Sequence, residues 1–202
     1  MISAWYACTA KHERRAASST MADRVIAIGD IHGCSMALDR LLEVIDPTEG
    51  DTVVTLGDYV AKGKDSCGVI DRLLEVSRRC QLVPLLGNHD EYLLAFLEGR
   101  LSERVWRTLG GDRVLESYGR QEDIPSSHRV FLESCRDVFE TDENLFAHAC
   151  YDPEKPPRDT DSHILRYVKL DADSLPSRHF SGKTAVLGHT AQRDGEIYGS
   201  SD

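Results

Sequence analysis

Five short apolar runs, at 24–28, 52–56, 82–86, 144–147 and 184–187, are each followed at once by a polar stretch containing glycine or histidine. Runs of four or five Val, Ile, Leu and Ala residues without alternation predict strands buried on both faces. Between the first three runs the apolar positions change to helical spacing. Met36, Leu38, Leu41, Leu42 and Ile45 mark a helix over 35–45, and Val69, Ile70, Leu73, Leu74 and Val76 mark one over 66–80. A third helix is predicted over 91–98, with acidic residues in its first turn and Gly99 after its end. Strand and helix alternate, which predicts the α/β class.

From 100 to 141 the pattern becomes polar and mainly helical, with helices predicted over 101–109, 112–118 and 126–140 and breaks at Gly110-Gly111 and Pro125. This stretch reads as a helical insertion over a site at the strand ends, packed by Trp106, Tyr118 and Phe131. The segment 151–181 holds Pro153, Pro156, Pro157 and Pro176 and reads as a long loop with a short helix at 162–168. Long loops of this kind commonly border a pocket.

Composition narrows the function classes. A length of 202 residues suits one globular domain, placed at 21–202, with residues 1–20 expected to be a disordered extension without a secretory pattern. Lys and Arg total 24 against 34 Asp and Glu, a formal charge of −10, and no basic run is present. Nucleic-acid binding is therefore not expected. No apolar span is long enough for a membrane helix. Six cysteines without a Cys-x-x-Cys pair point to reduced thiols and a cytoplasmic setting. No feature of the sequence speaks to oligomeric state.

The polar stretches share one chemistry. They are Gly29-Asp30-Ile31-His32-Gly33, Gly57-Asp58-Tyr59-Val60, Gly87-Asn88-His89-Asp90, His148-Ala149-Cys150 and Gly188-His189-Thr190. Ligands of open α/β sheets bind beyond the carboxyl ends of the strands, so residues distant in sequence are expected to meet there. The glycines allow sharp turns beside each donor. Asp, His and Asn suit divalent ions such as Mn²⁺, Fe²⁺ or Zn²⁺. Two such ions about 3.5–4 Å apart can clamp a phosphoryl group during in-line displacement. A single Gly-Asp turn is ordinary turn or cap chemistry, whereas five such stretches in series predict a two-metal hydrolase.

On these motifs the sequence resembles the metallophosphoesterases, and within them the phosphoprotein phosphatase family of Ser/Thr phosphatases, whose pattern runs GDxHG, GDxVDRG, GNHE/D, HGG or HAG, and GHT. The match runs from Arg24 to about Thr190. The resemblance implies a sandwich of two mixed β-sheets flanked by helices. It implies Asp30 and His32 on one metal, Asp58 bridging both, and Asn88, His148 and His189 on the second. It also implies His89 as general acid, a phosphate contact from Asn88, and a bridging hydroxide held by two divalent ions, manganese first and iron or zinc as alternatives. Members of the family continue past Gly-His-Thr with further strands, so the chain to Asp202 is expected to stop short of them.

Two departures alter the expected catalysis. Ala61-Lys62-Gly63-Lys64 stands where the family has Asp-Arg-Gly-Pro. Lys62 can attract phosphate, but as a compact charge it lacks the guanidinium fork. Ala61 removes the carboxylate that pairs with the catalytic histidine, which should slow turnover because general acid catalysis contributes roughly 10²–10⁴-fold. Asp90, next to His89, is the expected surrogate, and an aspartate restored at 61 is expected to raise turnover. Of Arg158, Arg166 and Arg178, Arg166 is the expected second phosphate contact. The resulting expectation is a phosphoric monoester hydrolase like the Ser/Thr phosphatases, acting on a phosphoprotein or a small phosphorylated compound. The alternatives are dinucleoside polyphosphate hydrolysis and a weakened homologue that binds metal and phosphate.

Overall fold

A computed structural model describes residues 23–171 and 175–191 of the chain. Strands β1 (Val25–Ile28), β2 (Thr52–Thr55) and β3 (Gln81–Pro84) pair in parallel in that order. Successive side chains point to opposite faces. Ile26, Ile28 and Val53 therefore pack into one core with the helices, while Ala27, Val54, Val83 and Leu85 pack into a second core with Phe146. That double burial is why these runs lack polar alternation.

The second sheet is β4 (Val138–Glu140), β5 (Asn144–Ala147) and β6 (Thr184–Leu187). β4 and β5 are antiparallel, and β5 and β6 are parallel. The fold is thus the expected α/β sandwich of two sheets flanked by helices, with the first sheet wholly parallel among the described residues. The Arg136 N–H donates to the Pro84 carbonyl at 2.9 Å, and the Leu86 N–H donates to the Arg136 carbonyl at 2.8 Å, which seals one sheet to the other.

Helix α1 (Ser35–Ile45) has its predicted bounds and buries Leu38 and Ile45. Met36, placed in its apolar stripe by the sequence, is instead 81% exposed. Helix α2 (Ser66–Val76) begins on Asp65, whose side chain accepts from the Gly68 N–H at 2.9 Å. It stops before the predicted residue 80, and just beyond its end the Ser77 hydroxyl donates back to the Leu74 carbonyl. Helix α3 (Asn88–Leu97) starts three residues earlier than predicted, on the Gly-Asn-His-Asp turn itself.

The insertion contains α4 (Glu103–Trp106), a turn at Arg107–Gly111 kinked at Gly110, α5 (Asp112–Tyr118) and α6 (Ser126–Glu133). Trp106 is buried and stacks on Phe96 with ring centroids 4.0 Å apart. The helix predicted over 126–140 ends at Glu133, because 138–140 pairs with β5 and Phe139 packs on Phe146. Tertiary pairing overrides local helical spacing there. A last helix, α7 (Ser162–Tyr167), lies in the long loop. The expectations for residues 1–20 and for the chain beyond 191 fall outside the described residues. No helix among the described residues is long and apolar enough to cross a membrane.

Candidate metal centre

The turns that follow β1, β2, β3, β5 and β6 converge at one end of the sandwich. The Ile31 and His32 N–H groups donate to the Asp58 carbonyl at 3.1 and 2.7 Å, locking the first turn to the second. Gly87 is needed for close approach, since a Cβ there would lie 2.3 Å from Asp58 Oδ1. Among the described non-glycine residues with positive φ are His32, Asp58, Ala61, Lys62 and His189, at 46, 53, 68, 55 and 61°. Backbone strain of this kind concentrates where a site over-determines its geometry.

The six proposed ligands meet. Asp58 Oδ2 lies 3.3 Å from His32 Nε2, and Asp58 Oδ1 lies 3.7 Å from His148 Nε2, so one carboxylate faces two groups of donors. Asp30 Oδ2 is 3.7 Å from His32 Nε2, while Asp30 Oδ1 accepts from the His189 N–H at 2.9 Å. His148 Nε2 is 3.1 Å from both Asn88 Oδ1 and His189 Nδ1.

Electrostatics make this cluster receptive to cations. Burial, and then the charge of Asp30, push the Asp58 carboxyl up to about 7. Burial holds the His32 and His189 imidazoles down at about 4 and lowers His148 as well. Backbone carbonyls fix two tautomers: His32 Nδ1 donates to Val60 at 3.0 Å and His148 Nδ1 donates to Leu56 at 2.6 Å. Both Nε2 lone pairs then point into the cluster. His148 Nε2 and Asn88 Oδ1 are consequently two acceptors facing each other without a proton between them. Nδ1 is the ring nitrogen of His189 that faces the cluster, 3.1 Å from His148 Nε2. An oxygen and imidazole donor set with unmatched lone pairs fits divalent metal ions.

The remaining predicted residues fall into different situations. Lys62 Nζ donates to His32 Nε2 at 2.6 Å, placing its charge inside the cluster. Arg166 lies beside the site, with Nη1 on Glu91 at 2.7 Å and Nη2 on Asp137 at 2.6 Å. Gripping phosphate with that fork would break an ion pair. Asp90 does not serve His89. It is wholly buried, and its oxygens accept from the N–H groups of Asp58, Tyr59, Val60 and Gly87 at 2.7, 2.9, 3.2 and 3.1 Å. Its carboxylate pins the loop that carries Asp58, and the surrogate role expected from sequence adjacency is corrected accordingly.

His89 finds another partner. Its N–H donates to Asp58 Oδ1 at 2.9 Å, and its ring Nδ1 donates to the Leu109 carbonyl at 2.9 Å. Sequence reasoning missed Leu109, because a backbone carbonyl has no residue signature. The Gly110-Gly111 break beside it was the only hint. A separate trio is formed by Cys67, Asp71 and His128. His128 is satisfied on both ring nitrogens, by Tyr118 at 2.9 Å and Asp71 at 3.0 Å, and ties α6 to α2.

Comparison with known proteins agrees with this geometry. Residues 23–193 match the family described as calcineurin-like phosphoesterase. A symmetrical bis(5'-nucleosyl)-tetraphosphatase of Paracidovorax citrulli (strain AAC00-1) is 35% identical over 162 residues, covering 74% of this chain and 52% of its own length. One from Acidovorax sp. (strain JS42) is 43% identical over 164 residues, covering 77% and 52%. The chain spans about half the length of these curated relatives. A solved structure of a candidate diadenosine tetraphosphatase aligns with a TM-score of 0.56 at 28% identity, covering 71% of this chain and 58% of that one. A protein serine/threonine phosphatase of Saccharomyces cerevisiae aligns with a TM-score of 0.53 at 18% identity, covering 75% and 50%, and shares the fold alone.

Proposed function

The chain belongs to the calcineurin-like phosphoesterase family, and on that premise we propose that it hydrolyses the phosphoanhydride bridge of dinucleoside polyphosphates at a centre of two divalent metal ions. The observation that carries the hydrolase reading is the position of Asp58, with one oxygen toward His32 and the other toward His148. The substrate class is supported by relatives at 35% and 43% identity named symmetrical bis(5'-nucleosyl)-tetraphosphatase. The Ser/Thr phosphatase reading has weaker support, because the solved structure of that kind stands at 18% identity. A small nucleotide is thus favoured over a phosphoprotein as partner. A reducing, cytoplasmic setting fits the five free cysteines among the described residues.

Asp30, His32 and Asp58 would hold one ion, and Asp58, Asn88, His148 and His189 the other. Bound there, divalent ions supply Lewis acidity at the phosphoryl group and a lowered pKa for the attacking water. The chain's own residues do the rest. Lys62 and Asn88 place positive and polar groups where a polyphosphate enters, and Arg166 would join them only by releasing Glu91 or Asp137. His89 carries a proton on Nε2 for the bridging oxygen that leaves. Burial lowers its pKa, and the neighbouring Asp58 charge offsets that fall only in part.

The deciding assay is product analysis of diadenosine tetraphosphate incubated with the Mn²⁺-loaded chain, alongside p-nitrophenyl phosphate and a phosphoserine peptide. Two ADP per substrate, abolished by a chelator, is the expected outcome. Preferential turnover of the phosphoserine peptide would restore the monoesterase reading. Metal and phosphate binding without turnover of any substrate would support the weakened homologue.

A further inference from the structure

We infer that the kinked turn at Arg107–Gly111 is a positioning element for His89, in which the Leu109 carbonyl takes the part that a carboxylate has in the resembling family and Gly110 permits the approach. This inference rests on His89 acting as proton donor in the reaction proposed above. Three observations join in it. His89 Nδ1 donates to the Leu109 carbonyl at 2.9 Å. Gly110 leaves the helix at φ 102° and ψ 4°, a conformation that L side chains rarely adopt. A Cβ on Gly110 would lie 2.7 Å from the Ala61 Cβ and 3.7 Å from His89 Nδ1.

The missing carboxylate and the glycine turn are therefore two halves of one arrangement. Ala61 is small and buried, and the turn occupies the space in front of it. The expectation that aspartate at 61 raises turnover is reversed. Its side chain would enter the space taken by Gly110 and push the Leu109 carbonyl off His89.

The chemistry of this partner differs from that of a carboxylate. A carbonyl accepts only, so Nδ1 must carry its proton, and Nε2 is the nitrogen that donates. As the P–O bond breaks, the Nε2 proton passes to the leaving oxygen, and the ring returns to the neutral Nδ1–H tautomer still bonded to Leu109. No tautomer change is required between turnovers. The carbonyl dipole orients the imidazolium without neutralising it, so the proton donor gets less support than from a full negative charge. That suits a leaving group of low basicity, such as the terminal phosphate of a nucleotide with its second pKa near about 6. A serine alkoxide is far more basic and depends more on protonation.

Two measurements on the full chain test this. Long-range ¹H–¹⁵N correlation of the metal-free protein, with His89 identified by its loss in His89→Ala, should show the neutral ring protonated on Nδ1. An Nε2–H tautomer would overturn the inference. With metal bound, Gly110→Ala should lower kcat for phenyl phosphate by roughly 10²-fold and for p-nitrophenyl phosphate by less than about threefold, with KM unchanged. Adding Ala61→Gly to that variant removes the opposing methyl but not the strain of an alanine at φ 102°, so only the part of the loss caused by that contact should return. Equal losses on both substrates, or none, would overturn the inference. If the parent chain turns over nothing, the proposed function fails while the tautomer measurement still decides the positioning of His89.

Discussion

The parallel half of the molecule and the helical insertion both reach His89, by different means. The parallel half supplies side chains: Asp30, His32, Asp58 and Asn88 stand on turns that follow β1, β2 and β3. The insertion supplies a backbone carbonyl, that of Leu109. In the first region function is written in residue identity. In the second it is written in the path of the chain, and the glycine that permits the path is the only trace left in sequence.

That contrast can be pressed experimentally. Asp58→Asn breaks the parallel half at its centre. It should reduce metal affinity by more than the roughly 100-fold typical of losing an outer-shell partner, as read by metal stoichiometry, and abolish turnover with it. Two bound ions with full activity would remove Asp58 from the bridging position. His89→Ala cuts the point where the two regions meet. Turnover of a substrate with a basic leaving group should fall by roughly 10²–10⁴-fold while metal stoichiometry stays unchanged.

Asp90→Ala leaves every proposed ligand in place and removes only the pin beneath Asp58. Each buried N–H left unsatisfied costs roughly 1–3 kcal/mol. With four donors on the carboxylate, a loss of at least about 3 kcal/mol of unfolding free energy is expected, read as a lower denaturant midpoint. An unshifted midpoint would show that water replaces the carboxylate freely.

The smallest effect is expected far from His89, at the base of the sheet. Asp51 is buried and accepts from Arg24 Nε at 2.8 Å, Arg24 Nη2 at 2.6 Å and the Thr48 N–H at 2.7 Å. These partners, Arg24 foremost, hold its carboxyl well below the usual range. A depressed folded-state pKa gives stability that is present above the unfolded carboxylate value near about 3.9 and fades as pH falls below it. Asp51→Asn should cost about 1.5–3 kcal/mol at pH 7 and blunt the loss of stability on acidification. Parallel denaturation curves at pH 7 and pH 3.5 for both proteins would check the sign.

The cluster of proposed ligands was legible because each lies next to a short apolar strand, although β6 is exposed at Thr184 and only half-buried at Ala185, Val186 and Leu187, not buried on both faces as its sequence predicts. Asn144–Ala147 and Thr184–Leu187 are strands with their predicted bounds, followed by His148 directly and by His189 after Gly188. Adjacency misled where direction mattered. Asp90 neighbours His89 in sequence, yet on the first turn of α3 successive side chains diverge, and its carboxylate turns into the Asp58 loop. The same limit hid β4, whose residues follow a helix-like pattern until Phe139 meets Phe146.

By itself, then, the sequence determined which residue types end each strand and thus the donor set, since an apolar run and the donor chemistry after it are both local properties of side chains. Tertiary structure alone decided which donors face one another, what pins the Asp58 loop, and which group stands behind His89. Those outcomes depend on side-chain direction and on backbone carbonyls. Both are set by the packing of segments far apart in the chain, such as Gly110 against Ala61.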